Sequence, residues 1–213
     1  MLAAMSRAAS AHLRAADPAM ARLIAEVGPC RLVVQKIAPY ESLVRSISHQ
    51  QLHGNAARAI MGRFVALYPD HTFPPPEAVL ATEDAALRAT GLSASKIATI
   101  RGLAAAALDG TIPTRARAAR LSDAVLIERL TALRGVGRWT VEMLLMFCLG
   151  RPDVLPVDDF GVREGYRRLH GLDAQPRPRD LATVGEAWAP YRSAAAWYLW
   201  RAAEAGKSVK QPS

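Results

Sequence analysis

The sequence predicts an all-α protein, and three observations carry this prediction. Helix start and stop signals recur along the chain, no run alternates between apolar and polar residues for long enough to form a strand, and proline-rich loops separate the helical stretches. The 213 residues, of which 51% are hydrophobic, suffice for one well-buried domain or two small lobes. We expect roughly ten helices and no internal repeat.

The boundaries of several helices can be predicted in order along the chain. Asp17 and Pro18 form an N-cap and a first helical residue, and Gly28 with Pro29 ends that helix. Two helical stretches, 40–49 and 55–68, then flank a short loop. Later helix starts are expected at Thr82-Glu83-Asp84, Ser93 and Ser122, and helix ends at Gly110 and Gly171.

Residues 122–148 combine two helical stretches with a glycine turn. Gly135 and Gly137 can adopt backbone conformations that a Cβ forbids, so the turn can direct its N–H groups outward at the start of the second helix. Such a helix start attracts phosphate, and Arg134 and Arg138 add positive charge. A Gly-x-Gly between helices is also an ordinary structural turn, so this motif alone leaves both interpretations open.

The charge balance favours a polyanionic partner. The chain carries 27 Lys and Arg against 19 Asp and Glu, with a net charge of +8 and a pI near 10.1. Arginine supplies 23 of the 27 cations, which suits phosphate recognition. A GC-rich coding bias explains this arginine excess equally well.

The remaining composition excludes several classes of protein. The longest apolar run, 143–149, is too short to span a membrane, and the first sixteen residues do not resemble a secretory signal. Cys30 and Cys148 are too few to hold an iron–sulfur cluster or a structural zinc, and each is expected to be a buried thiol. We therefore expect a cytoplasmic protein.

The glycine turn and a downstream acid pair resemble the helix-hairpin-helix DNA glycosylases. In that family Leu-x-Gly-Val-Gly-x-x-Thr is followed about twenty residues later by Pro-Val-Asp; here Leu133 to Thr140 and Pro156 to Asp159 match. The alkylation-repair branch, the DNA-3-methyladenine glycosylase II (AlkA-type) enzymes, is the most similar. Further stretches that resemble this branch are 30–32, 48–53, 91–96, 190–193 and Trp200.

This resemblance implies an architecture and a function. We expect a single domain, 1–213, built of two interleaved helical lobes with a central cleft, in which the hairpin (122–148) is followed by a Gly/Pro-rich loop (150–162) with the catalytic aspartate. The implied protein is a monofunctional glycosylase of base-excision repair that flips alkylated purines, such as 3-methyladenine and 7-methylguanine, out of double-stranded DNA. It is expected to be a monomer and to associate with the nucleoid through that DNA. Excision of 1-methyladenine, ethenoadenine or hypoxanthine stays open. The alternatives are a non-catalytic helix-hairpin-helix DNA-binding module and a glycosylase for other lesions, such as a strand-cleaving enzyme for oxidised bases.

Asp159 is the catalytic residue that the resemblance implies. Breaking the C1′–N bond builds positive charge on the sugar, and a fixed carboxylate stabilises that oxocarbenium-like state or activates water. A cationic alkylated base departs readily, so no second carboxyl is required as a general acid. Asp158 is expected to cap the following helix. The alternative is that both acids only cap that helix, as paired acids at a helix start often do.

Aromatic and apolar residues are the candidates for substrate binding. Trp139 occupies the position where strand-cleaving relatives carry a Schiff-base lysine, and an indole cannot act as that nucleophile, so lyase activity is not expected. The resemblance places Trp200 against the extruded base, where an electron-rich ring favours a cationic purine. Met143 replaces a pocket tyrosine of some relatives, and Tyr191 completes the set. Ordinary core packing is the alternative for these aromatic residues.

The remaining candidates contact DNA or a cation. Leu52 is the expected wedge into the DNA, with Gln51 and His53 beside it, and packing is again the alternative. The expected DNA-binding residues of the hairpin are Gly135, Val136, Gly137, Arg138 and Thr140. By resemblance alone, the main-chain carbonyls of Thr131, Leu133 and Val136 hold Na⁺ or K⁺ when DNA is bound. No redox or organic cofactor is expected.

Overall fold

The computed structural model describes residues 2–50 and 54–205, and within these ranges the regular structure is helical, as predicted. The α-helices are α1 (Leu2–Ala16), α2 (Pro18–Val27), α3 (Pro39–His49), α4 (Gly54–Ala66), α5 (Pro76–Ala81), α6 (Asp84–Ala89), α7 (Ala94–Leu108), α8 (Arg115–Ala118), α9 (Asp123–Thr131), α10 (Arg138–Met143), α11 (Phe160–Leu169), α12 (Pro178–Gly185) and α13 (Arg192–Ala205). A π-helix, Leu144–Leu149, continues α10, and a 3₁₀-helix, Glu186–Trp188, follows α12.

The chain divides into two compact units. One contains both ends of the sequence, residues 1–34 and 150–213, and is called the terminal unit below. The other is the continuous segment 35–149, called the central unit. Among the described helices, none combines the length and the apolar character needed to cross a membrane.

The central unit is built around α3 and α7. Helix α3 packs against α4, α7 and α10, and α7 packs against α5. Apolar side chains at helical spacing on these elements are removed from water, which is the main favourable term in forming the unit. Fully buried examples are Leu43, Val44, Phe64, Ile100 and Leu103.

The terminal unit is built around α13, which packs against α1, α2 and α11. Tyr198 on α13 is fully buried, and its hydroxyl lies 3.0 Å from the carbonyl oxygen of Gly28 and 3.2 Å from the Ser10 hydroxyl. A buried phenol needs such partners because an unsatisfied hydroxyl is costly in an apolar interior. These bonds tie the end of α2 and the middle of α1 to α13.

Three predicted helix starts are confirmed by their caps. Asp17 accepts hydrogen bonds from the N–H groups of Ala19 and Met20 at 2.8 and 3.1 Å. Ser93 begins α7 and Ser122 begins α9, each accepting the N–H of the residue three positions later at 3.3 Å. A short polar side chain next to its own helix start needs no distant partner, so these caps are readable from the sequence.

Other expectations were incomplete. Helix α1 carries no cap signal in the sequence, and the π-helix interrupts what was expected to be a regular α-helix after Trp139. The N–H of Gln35, in the segment before α3, donates to the carbonyl of Phe147 at 2.7 Å. This segment therefore supplies a hydrogen-bond donor to a carbonyl of the π-helix. The prediction of two buried thiols was right for Cys148 and wrong for Cys30, which is only partly buried because it lies in an irregular segment after α2.

Candidate functional site

Asp159 is the N-cap of α11 and hydrogen bonds to α13. Its Oδ1 accepts the N–H of Val162 at 2.8 Å and the indole N–H of Trp200, also at 2.8 Å. The expectation that Asp158 caps this helix was wrong. The Asp159 N–H donates to the carbonyl of Pro156 and closes a tight turn. This turn leaves Asp158 exposed and places Asp159 at the N-cap position of the helix.

Trp200 reaches the carboxylate because α11 lacks a side chain where the two meet. A Cβ on Gly161 would lie 2.8 Å from Trp200 Cδ1, and a Cβ on Gly165, one turn later, would overlap the carbonyl oxygen of Leu199. Both glycines therefore permit a close approach of α13 to α11. The sequence identified Asp159 and Trp200 but not these glycines, whose spacing of four residues is the signal of a shared helix face.

The loop before Asp159 is fastened to the start of α13. Arg192 makes a bidentate pair with Asp153, with both N–O distances 2.7 Å, and hydrogen bonding to Arg192 lowers the pKa of Asp153. The hydroxyl of Ser193 donates to the carbonyl of Arg151 at 2.8 Å and accepts the N–H of Val154 at 3.0 Å. These contacts fix the loop that carries Asp159. They give Arg192 and Ser193, in the stretch 190–193, a structural role that the sequence did not reveal.

Tyr191, a predicted substrate-binding residue of the terminal unit, packs against α1. Its ring centroid lies 5.5 Å from that of His12, whose Nε2 is 3.0 Å from the carbonyl oxygen of Ala187. Of the residues predicted to form the site in this unit, the structure brings Asp159 and Trp200 into direct contact. A contact of Tyr191 with substrate stays a prediction.

The hairpin of the central unit has the predicted glycine turn between α9 and α10. Gly135 has φ +80°, a conformation that other residues rarely adopt, and a Cβ there would lie 2.7 Å from the Thr99 hydroxyl. Gly137 is the N-cap of α10, so the N–H groups that follow it belong to a helix start and have no partner within that helix. Arg134 and Arg138 are exposed on either side of the turn.

Not every predicted hairpin residue has an exposed side chain. Val136 is 5% exposed, and its N–H donates to the carbonyl of Leu133 at 3.1 Å. Thr140 is 2% exposed, and its hydroxyl lies 3.4 Å from Nε2 of Gln50. Arg138 pairs with the buried carboxylate of Glu142 at 2.9 Å. Phosphate contacts at this turn would therefore come from main-chain groups and exposed arginines rather than from the side chains of Val136 and Thr140.

Trp139 and Met143 lie on one wall of a cavity in the central unit. The cavity has a volume of about 830 Å³, and Phe147 continues this wall after a further four residues. Trp139 is 38% exposed, whereas Met143 is only 9% exposed. Side chains of α3 and α4 also line the cavity. The two predicted substrate-binding residues of this unit therefore line the same cavity.

The remaining predicted residues fall outside what can be described or involve main-chain atoms. Gln51, Leu52 and His53 lie between the described ranges. Thr131 is the last residue of α9, and Leu133 and Val136 lie in the turn that follows.

A model of the HhH-GPD superfamily of base excision DNA repair proteins matches residues 44–190. The chain belongs to this superfamily. It is 44% identical over 204 residues to DNA-3-methyladenine glycosylase 1 of Schizosaccharomyces pombe, covering 95% of this chain and 90% of that protein. The superfamily match contains the hairpin, Asp159 and the loop between them, and confirms the family resemblance of the sequence motifs.

Solved structures of HhH-GPD relatives share the fold. S. pombe 3-methyladenine DNA glycosylase Mag1, in complex with abasic DNA, superposes with a TM-score of 0.85 at 46% identity over 91% of this chain and 95% of that one. A DNA-3-methyladenine glycosidase from Bacillus halodurans gives 0.82 at 37% identity over 92% and 89%. The predicted all-α glycosylase fold is therefore confirmed.

Proposed function

We propose that this HhH-GPD protein is a monofunctional DNA glycosylase of base-excision repair that hydrolyses the N-glycosidic bond of alkylated purines. The observation that carries the proposal is the carboxylate of Asp159, held by the N–H of Val162 and the indole of Trp200. The names of the relatives from S. pombe and B. halodurans, both 3-methyladenine glycosylases, support the substrate class.

Asp159 stabilises the developing charge on the sugar. As the C1′–N bond breaks, its electron pair leaves with the base and neutralises an alkylated purine such as 7-methylguanine. The sugar becomes cationic and is stabilised by the fixed carboxylate. Water then attacks C1′, and its proton passes to Asp159 or to solvent. Because Trp200 and Val162 hold Oδ1, the carboxylate does not have to reorient during the reaction.

The expected product is an abasic site in an uncut strand. Strand cleavage by a relative of this kind requires an amine that forms a Schiff base with the sugar, and the corresponding residue here is Trp139. Hydrolysis with water as the nucleophile is therefore proposed.

The hairpin provides sequence-independent binding to a phosphate. Main-chain N–H groups at the start of α10 and the exposed Arg134 and Arg138 supply donors and positive charge. The carbonyls of Thr131, Leu133 and Val136 would hold a Na⁺ or K⁺ ion. Carbonyl oxygen suits such a hard cation, and Leu133 O, which accepts one N–H from Val136, retains a second lone pair. When bound, the ion would add positive charge beside a DNA phosphate.

Base release by the Asp159→Asn variant tests the proposal. Asparagine still caps a helix, so the start of α11 is preserved while the negative charge is lost. On duplex DNA containing 7-methylguanine, we expect release, followed by chromatography with mass detection, to fall by at least about 100-fold, with DNA affinity retained. Asp158→Asn is the matched control, because Asp158 is exposed at the adjacent turn, and should release base at the wild-type rate.

Three results would contradict parts of this proposal. Equal release by wild type and Asp159→Asn would reject the catalytic role of Asp159. Absence of release by the wild type from any alkylated DNA would favour a DNA-binding module. Strand nicks that form without added alkali would indicate lyase chemistry.

A further inference from the structure

Lys96 lies where the local helix disfavours a cation. Ser93 caps α7 and accepts the N–H of Lys96 at 3.3 Å, which places the lysine in the first turn of the helix. The positive end of the helix dipole lies there and opposes an ammonium group. Burial also lowers the pKa of Lys96. A lysine in this place needs a compensating contact.

That contact is the C-terminal end of a different helix. Nζ of Lys96 donates to the carbonyl of Ser48 at 3.0 Å and to that of Gln50 at 2.8 Å. Helix α3 ends at His49, so these carbonyls belong to the negative end of its dipole and require a donor. The ammonium of Lys96 therefore fixes the main chain at the end of α3, on both sides of its last residue.

Gln50 connects this fixed main chain to the hairpin. Its side-chain Nε2 lies 3.4 Å from the carbonyl oxygen of Gly135 and 3.4 Å from the hydroxyl of Thr140. Gly135 is the left-handed residue of the turn, and Thr140 lies in the first turn of α10. One amide thus spans the glycine turn from its first glycine to the helix that follows.

Helix α7 also contacts the turn directly. Thr99, one turn after Lys96, lies against Gly135 so closely that a Cβ there would be 2.7 Å from its hydroxyl. Lys96, Thr99 and Gln50, called the hairpin brace below, therefore join the start of α7, the end of α3 and the hairpin turn. All three elements lie within the central unit.

We propose that Lys96 is a positioning residue for DNA binding, which acts through Gln50 to hold the hairpin turn in its phosphate-binding conformation. This inference rests on the proposed function. Two of the three donors of the Lys96 ammonium are used by main-chain carbonyls, so the role proposed for it is to hold the protein main chain rather than to neutralise a phosphate. Its loss would loosen the turn and weaken DNA binding, while a DNA molecule already bound would still react at Asp159.

Single-turnover base release by Lys96→Met tests this role. Methionine keeps the length of the side chain and removes its donors. On duplex DNA with one 7-methylguanine, we expect the half-saturating enzyme concentration to rise roughly tenfold, the loss that one or two charged hydrogen bonds produce. The rate at saturation should stay at the wild-type value. Lys96→Arg, which can still donate to both carbonyls, should restore the affinity, and the exposed Lys36→Met controls for the lost charge.

Salt dependence separates positioning from direct phosphate contact. A lysine that neutralises a phosphate contributes close to one unit to the slope of log affinity against log salt. Lys96→Met should keep the wild-type slope. A slope reduced by about one unit would overturn the proposal, as would unchanged affinity or a lower saturated rate that Lys96→Arg does not rescue.

Gln50→Leu tests the brace without altering Lys96, and gives an independent result if Lys96→Met does not fold. It should weaken DNA binding similarly, and wild-type affinity in this variant would reject the brace. Wild-type base release is measured in the same experiment. Failure of the wild type to release base would refute the proposed function, whereas the affinities of the variants for undamaged duplex DNA, measured by direct binding, still decide the role of the brace.

Discussion

At Asp159, a single carboxylate oxygen accepts one bond from its own helix and one from a tryptophan 41 residues away. The first bond determines where α11 begins, and the second joins α11 to α13. Trp200, which the resemblance places against the extruded base, therefore has a further contact that orients the proposed catalytic group. Stacking of Trp200 on a base stays a prediction.

The hydrogen bond of Trp200 can be removed while its aromatic ring is largely kept. In Trp200→Phe the indole donor to Asp159 is lost, and we expect single-turnover release of 7-methylguanine to slow by roughly tenfold, as expected for one hydrogen bond to a charged group. Trp197→Phe, on the same helix, is the control, since its ring contacts Arg201 and Tyr198. Equal rates in Trp200→Phe and wild type would show that this bond is not needed for catalysis.

Among the elements, the loop over 150–159 depends on its attachment to α13. Hydrogen bonding from Arg192 lowers the pKa of Asp153 below its ordinary value of 3.8. A carboxyl with a lowered pKa in the folded state stabilises the fold above the unfolded pKa, and this contribution is lost as pH falls through the folded value. Asp153→Asn should therefore be less stable than wild type at neutral pH, and the difference should shrink below about pH 4 in denaturant titrations. A constant difference at all pH values would contradict this account.

The packing of α13 on α11 depends on Gly165. A Cβ there would meet main-chain atoms of Leu199, which cannot rotate away, so Gly165→Ala should lower the free energy of unfolding by about 2 kcal/mol. Gly102, in the middle of α7, has open space where a Cβ would lie, and Gly102→Ala should raise the free energy of unfolding by about 0.5 kcal/mol. Chemical denaturation of both variants distinguishes packing from helix propensity. A Gly165→Ala protein with the wild-type free energy of unfolding would show that α11 and α13 can move apart without loss of stability.

The elements also show how far the sequence could predict this structure. Caps such as Asp17 and Ser93 are local, since the side chain and the amide it accepts lie within three residues. The partners of Trp200 and Lys96 are 41 and 46 residues away, and no helical period specifies such a pairing. The π-helix was missed because its apolar residues fit a regular α-helix equally well. Family motifs located Asp159, but the choice of cap between the two acids depended on turn geometry.

For the whole molecule, the net charge of +8 supports binding to a polyanion, and the exposed arginines at the hairpin give this charge a place to act. Arg134→Gln should weaken binding to undamaged duplex DNA and lower the slope of log affinity against log salt by about one unit. Arg88→Gln, which removes an exposed charge from α6, should leave the slope at the wild-type value. Identical slopes in all three proteins would show that Arg134 contacts no phosphate.

The terminal unit is made from both ends of the sequence, and this affects the order in which the chain can fold during translation. Helices α1 and α2 leave the ribosome before α13, the helix on which both of them pack, has been translated. The segment 35–149 is continuous and contains its own buried core. The nascent chain therefore completes the surroundings of Asp159 last, because Trp200 lies near the end of α13.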